Sequence, residues 1–372
     1  HYCDFYTIGG NSGVPEKYID ALLRDFLRYA PKTSAGMAMQ PQTVYFGGGT
    51  PGLLLPQQVQ RLLTAFSPRA GAEITLEVNP ESLTREKLEG WRATGVKRLS
   101  LGVQTAREES LGRLGGPHSA GQAREAPKMA AAAGFGNISG DIMLALPGYN
   151  RAEFDATLAM LQEGGVNHIS AYLLKLEPGT TFGKHPPADI PEEDEAADYY
   201  LYAAERLEQA GYIRYEISNF AKPGFESRHN LAYWNLEDWL GLGPAAHSHL
   251  GGRRFSFAAD ADAWIKGISP QPEGESTAED YIMLRLRLDA GLKEPMLAAR
   301  FGKQLGAKQQ AFLQLMEKAG YAAGTDGGWR LTGKGLLVQN TLLAGLLQHP
   351  LEDGPTGPTD KKLCGALDDW LK

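Results

Sequence analysis

Thr43-Val44-Tyr45-Phe46-Gly47-Gly48-Gly49-Thr50-Pro51 is a short β-like run that stops in three glycines. Bare backbone after a strand permits a tight turn and lets main-chain groups approach a ligand. Further strand-like runs follow at Glu73 to Val78, Arg98 to Val103, Ile138 to Leu146, His168 to Leu174 and Ile213 to Ile217. Helical patterns lie between most of them, among them Arg85 to Thr94, Ala120 to Ala133 and Glu192 to Ala210. Upstream, Pro15 opens a helix whose apolar face is Tyr18, Ile19, Leu22, Leu23, Phe26 and Leu27. Such alternation implies an α/β fold with parallel strands and crossover helices. Spacing alone leaves both an open doubly wound sheet and a barrel available.

Beyond Gly252 the pattern changes. Pro270, Pro272 and Gly274 punctuate Ser269 to Glu275, which reads as a linker. Ala278 to Leu288, Lys293 to Phe301 and Ala307 to Ala319 then look helical. A β-like pair around Tyr321 and Trp329, turned at Asp326-Gly327-Gly328, precedes a last helix from Gly333 to Leu347. Three helices and a wing suggest a winged-helix module. The division expected is 1–252, a linker over 253–277, the module over 278–347 and a loosely packed tail over 348–372. Within Ala278 to Leu347, nine Lys or Arg face six Asp or Glu. That footprint, with a chain net charge of −7, is too weak for nucleic-acid binding and favours a lid or docking role. No apolar run approaches the roughly 20 residues that span a bilayer, and no signal peptide is expected. Cys3 and Cys364 are the only cysteines, so no disulfide framework is expected and a reducing, cytoplasmic location fits best.

Polar residues recur at or near the ends of successive strands. Glu77 lies in Leu76-Glu77-Val78-Asn79-Pro80, Gln104 closes Leu99-Ser100-Leu101-Gly102-Val103-Gln104, and Asp141 follows Ser139-Gly140. Barrel enzymes assemble sites in this way. In order and spacing, these residues resemble the radical S-adenosylmethionine (SAM) proteins of the coproporphyrinogen III oxidase-like group. The opening Tyr2-Cys3 looks like the aromatic residue and third cysteine of that family's C-x3-C-x2-C motif; the other two cysteines would precede His1. Three such thiolates hold a [4Fe–4S] cluster and leave one iron open for SAM.

The resemblance implies a partial (β/α)6 TIM-like barrel, its first strand preceding His1, followed by the small C-terminal winged-helix-like domain. It also implies a SAM pocket made by Tyr2, Gly48, Gly49, Thr50, Glu77, Gln104 and Asp141, with Cys3 on the cluster. The arginine that the family places twelve residues after Gln104 is here Gly116, which weakens the expected grip on SAM.

His229-Asn230-Leu231-Ala232-Tyr233-Trp234 is similar to the H-N-x-x-Y-W signature of the HemW-type haem chaperones within that group. Phe5 stands where oxidase-type members carry a further cysteine. By this resemblance His229 ligates haem iron, with Tyr233 and Trp234 against the macrocycle and His247 and His249 in reserve. More than two hundred residues separate this motif from Cys3, so haem binding is expected not to need the cluster. The implied partners are haem or porphyrin, membrane-bound respiratory haem acceptors and a second copy in a homodimer. The alternatives are an oxygen-independent coproporphyrinogen III oxidase and a degenerate scaffold without a cluster.

Overall fold

Apolar residues recur at every second position of the central strands, and most residues between them are polar. That period of two sorts the side chains onto two faces. In the computed structural model, which describes residues 2, 4–7, 13–32, 36 and 38–354, these strands are β1 (Thr43–Phe46), β2 (Glu73–Val78), β3 (Arg98–Gln104), β4 (Asn137–Leu144) and β5 (His168–Leu173). They pair in parallel in chain order. Ile74, Leu76, Leu99, Leu101, Ile138, Ile142 and Ile169 are buried in the main core beneath crossover helices such as Arg85–Thr94. Thr84 caps that helix by accepting from the Lys87 amide (3.2 Å), and Gly95 at φ 105° ends it. On the opposite parity, register rows set Thr75 beside Arg98 and Asn137, and Glu77 beside Ser100, Ser139 and His168.

The strand expected over Ile213 to Ile217 is shorter, and its end turns back. β7 (Asn219–Ala221) pairs antiparallel with β5 and β6 (Ile213–Arg214) antiparallel with β7, in the order β5-β7-β6. Tyr215 and Glu216 leave the ladder because their side chains are bonded inward, as described below. A flat sheet of seven strands would separate β1 from β6 by about 29 Å at the usual spacing of about 4.8 Å. Yet the helix Arg228–Trp234 reaches Thr43 of β1 through His229, while its capping residue Ser227 bonds Tyr215 beside β6. The sheet is therefore curled, and this helix closes the gap between its edges.

The segment 253–277 is not a linker. β8 (His247–Leu250), β9 (Arg253–Ser256) and β10 (Gln271–Glu275) form an antiparallel sheet in the order β10-β9-β8. Pro272 is tolerated because β10 is an edge strand, and Gly274, at φ 114°, takes up the register shift beside it. Glu273 fastens that edge to His247 (2.8 Å). In the C-terminal part, β11 (Leu292–Lys293), β13 (Ala322–Thr325) and β14 (Gly328–Leu331) make the wing around the three expected helices. Its separate core includes Tyr281, Ile282, Leu297, Leu313 and Leu343. The last helix is two, Gly333–Leu337 and Gln339–Leu346, divided where Val338 leaves helical dihedrals. The start of the tail is paired: β15 (Glu352–Asp353) lies on β12 (Lys303–Gln304), held by Lys303 to Asp353 at 2.7 Å.

Candidate functional site

The glycine turn after β1 is built around Glu77. Its carboxylate accepts from the Tyr45 hydroxyl (2.6 Å) and the Gly48 amide (3.0 Å). Gly48 and Gly49 have φ of 76° and 53°, and nothing stands within 4 Å of where a Cβ would lie on either. That leaves open space against bare backbone, with a half-buried carboxylate at its edge. Burial pushes the Glu77 carboxyl up; the Tyr45 hydroxyl opposes this and nearby Asp141 adds to it. Asp141 sits mid-strand and is likewise pushed up by burial, opposed by hydrogen bonds from serines and by the Arg98 charge. Ser100 Oγ donates to both its oxygens (3.1 and 3.0 Å) and Ser139 Oγ to one (3.3 Å). Gln104 ends β3 at φ 64°. Its amide and Asn79 Oδ1 both crowd the Cβ position of Gly102, the register partner of Asp141. Glycine at 102 thus lets the two amides approach the carboxylate row.

The second half of the site is the short helix Arg228–Trp234. Glu73 accepts from the Arg228 and His229 amides (3.1 Å each) at its N-terminus, where the helix dipole favours a carboxylate. Both nitrogens of His229 are bonded, Nδ1 with Thr43 Oγ1 (2.7 Å) and Nε2 with Tyr233 Oη (2.8 Å). Its ring stacks on Tyr45 (centroids 4.8 Å apart, 16°). Burial, and then the Arg98 charge, lower its pKa to about 4, so the imidazole is neutral near pH 7. Tyr233 is 38% exposed and meets Trp239 edge-on at 4.9 Å. Trp234 points elsewhere, with the Arg287 guanidinium 5.6 Å above its ring.

The sequence-expected residues therefore fall together in part. Gly48, Glu77 and Asp141 share one neighbourhood, and Gln104 reaches it beside Gly102. Tyr2 is half-buried against the main core, and Thr50 closes the glycine turn. Gly116 is exposed, and a Cβ there would meet only the Leu111 carbonyl at 4.0 Å. Cys3 and Cys364 lie outside the described residues. His247 is committed to Glu273, and His249 is buried behind Trp239, bonding the Glu237 carbonyl (3.1 Å). Sequence distance does not separate the two halves of the site, because Tyr45 touches both Glu77 and His229. Tyr45, Asn79 and Arg98 were missed by sequence reasoning. Arg98 is 2% exposed and its Nε finds no partner among the described residues. A charged residue at an inward parity position of a buried parallel strand was the available signal.

A curled, largely parallel sheet with a glycine turn after one strand and carboxylates on the next ones defines the class. The chain matches the radical SAM superfamily over residues 1–161 and the HemN C-terminal domain over residues 275–338. Its fold is that of coproporphyrinogen III oxidase (HemN) from Escherichia coli, with a TM-score of 0.78 at 22% identity, over 93% of this chain and 86% of that one. Two relatives named heme chaperone HemW fix the branch. That of Bacillus subtilis is 31% identical over 93% of this chain and 95% of its own length. That of Escherichia coli is 32% identical over 92% and 93%. The chain belongs to the HemW family. A mitochondrial radical SAM domain-containing protein 1 from Bos taurus is also similar, 32% identical over 94% of this chain and 84% of its own.

Proposed function

We propose that this chain is a haem-binding chaperone on a radical SAM scaffold, with His229 Nε2 as the iron ligand. One observation carries the reading: His229 is held as a neutral ring with each nitrogen against a hydroxyl, so that either nitrogen can keep its lone pair. If Nδ1–H donates to Thr43 Oγ1, Nε2 keeps its lone pair and accepts from the Tyr233 hydroxyl. That is the tautomer an Nε2-ligating histidine needs. Ligation requires only that Tyr233 turn its hydroxyl away, and its exposure gives it room. Tyr233 then lies beside the macrocycle, while Trp234 ends the same helix with its ring against Arg287.

The same reading makes Tyr2, Gly48, Gly49, Thr50, Glu77, Gln104 and Asp141 the SAM pocket and Cys3 a cluster ligand. The open space over Gly48 and the carboxylate of Glu77 suit an ammonium group. When bound, a [4Fe–4S] cluster supplies an open iron position to the amino and carboxylate groups of SAM. The name of the relatives supports delivery of haem to acceptor proteins, from the cytoplasm. It keeps 1–252 as the scaffold and 278–347 as the docking or lid module.

Haem titration of the purified chain tests the reading. Wild type is expected to give a Soret band that His229→Ala loses or shifts, with unchanged circular dichroism. An unaltered spectrum and affinity in His229→Ala would remove His229 as the ligand. Turnover of coproporphyrinogen III by cluster-loaded protein would make the chain an oxidase instead.

A further inference from the structure

We propose that the contact between buried His168 and half-buried Tyr215 is a positioning link that ties the helix bearing His229 to the carboxylate of Asp141. It rests on the reading above, in which Asp141 belongs to the SAM pocket and His229 to the haem site. The two are joined by an unbroken chain of short contacts. Ser139 Oγ lies 3.3 Å from Asp141 Oδ1 and 2.7 Å from His168 Nδ1. His168 Nε2 lies 2.8 Å from Tyr215 Oη, which accepts from the Ser227 amide at 3.3 Å. Ser227 is the N-cap of the helix, its Oγ accepting from the Asn230 amide (3.3 Å). Ser139, His168 and Ser227 are each 0% exposed, so water does not take the place of these three.

The protons of this chain have one consistent arrangement. A carboxylate only accepts, so the Ser139 hydroxyl donates to Asp141. Ser139 Oγ then accepts from His168 Nδ1–H, which leaves Nε2 as an acceptor for the Tyr215 hydroxyl. Tyr215 in turn accepts from the Ser227 amide. With the reverse tautomer, the Tyr215 hydroxyl would face an amide N–H and have no acceptor. Burial holds the His168 pKa well below the ordinary value, the Arg98 charge adding to this, so one nitrogen is free to accept. Every donor therefore points toward Asp141, and aligned bonds of this kind polarise one another. A change of charge or occupancy at Asp141 is felt at the N-cap of the helix that sets His229 against Thr43 and Tyr45.

Two substitutions interrupt the chain at separate places. Ser139→Ala removes a hydroxyl on β4 and touches nothing on the helix; Tyr215→Phe removes only the phenolic oxygen. In the full chain without haem, each is expected to speed amide hydrogen exchange over residues 228–234 by about tenfold. The double variant should exchange no faster than the faster single one, because both break the same link. Haem affinity is expected to fall about threefold to tenfold in each single variant, with no further fall in the double. Wild-type exchange at 228–234 in Ser139→Ala would overturn the link, as would effects that add in the double variant. If Tyr215→Phe does not fold by circular dichroism, Ser139→Ala with His168→Gln serves as the cycle. Failure of wild type to bind haem, with exchange still coupled, would sink the haem reading and leave the link standing.

Discussion

Gly47 and Gly48 are neighbours, yet the turn needs them for different reasons. Gly48 is at φ 76° with open space where a Cβ would go, so only backbone strain opposes a side chain. Gly47 has no such φ, but a Cβ would stand 2.5 Å from the Tyr45 ring and 3.2 Å from Glu77 Oε1. That ring cannot slide, because its hydroxyl holds Glu77 and its face lies on His229. Gly48→Ala is expected to cost about 1 kcal/mol and Gly47→Ala about 2–3 kcal/mol in urea unfolding. Equal or reversed costs would show that Tyr45 is not clamped. His229 invites a second test. Burial brings its pKa to about 4, so its lone pair persists on acidification where an ordinary histidine, at about 6.5, would lose it. Haem affinity followed by Soret titration should stay level from about pH 8 to pH 5. A fall centred near pH 6.5 would mean that the imidazole is far better solvated than its stacking on Tyr45 implies.

The helix Arg228–Trp234 has 7 residues, too few to hold its shape alone in water. Other elements hold both ends. Ser227 and Glu73 satisfy the first amides, and Arg300 bonds the Asn235 carbonyl (2.7 Å) and the Leu236 carbonyl, with Arg285 on the Asn235 side chain. Cations belong at that end, where the carbonyl dipoles converge. Arg300→Gln should therefore raise hydrogen exchange at residues 232–236 while leaving β2 and β3 protected. Uniform protection across the variant would show that the arginines are ornamental to the helix. How much of this was legible is plain from the contacts. The strands β1 to β5 and the helix Arg85–Thr94 follow from apolar parity and local caps, which are written in neighbouring residues. So does the polar inner row of Glu77, Ser100, Ser139, Asp141 and His168. The partners of His229 are not: Glu73 lies 156 residues away and Thr43 lies 186 away. No local pattern names them; only the curling of the sheet brings them to the helix.

At the scale of the whole molecule, two cores meet across a polar joint. Glu216 and Leu288 form an isolated antiparallel bridge, and the Asp289 amide donates to the Tyr215 carbonyl (3.0 Å). Asp289 also pairs with Arg214 (3.1 Å) and Arg330 (3.0 Å). The C-terminal part is thereby fastened to the residues that carry the His168 contact and, through Arg285 and Arg300, to the His229 helix. Glu216 is the weak point of the joint. It is 1% exposed, its Oε2 accepts from the Ser218 amide (3.2 Å), and its Oε1 has no partner among the described residues. Burial raises its pKa to about 7, against backbone and Asn219 hydrogen bonds and the more distant Arg287 charge. The unfolded chain releases this proton near pH 4.5, whereas the folded chain keeps it to about pH 7. Between those values the native state binds more protons, so stability falls as pH rises. The favourable contribution is complete below the unfolded value and gone above about pH 7. Glu216→Gln keeps the shape and cannot ionise. Measured by urea unfolding at pH 5 and pH 8, wild type should lose stability relative to Glu216→Gln by on the order of 2 kcal/mol. A difference that is the same at both pH values, or one that favours wild type at pH 8, would mean that Glu216 is ionised and well paired in the fold. The joint would then be held by that charge rather than in spite of it.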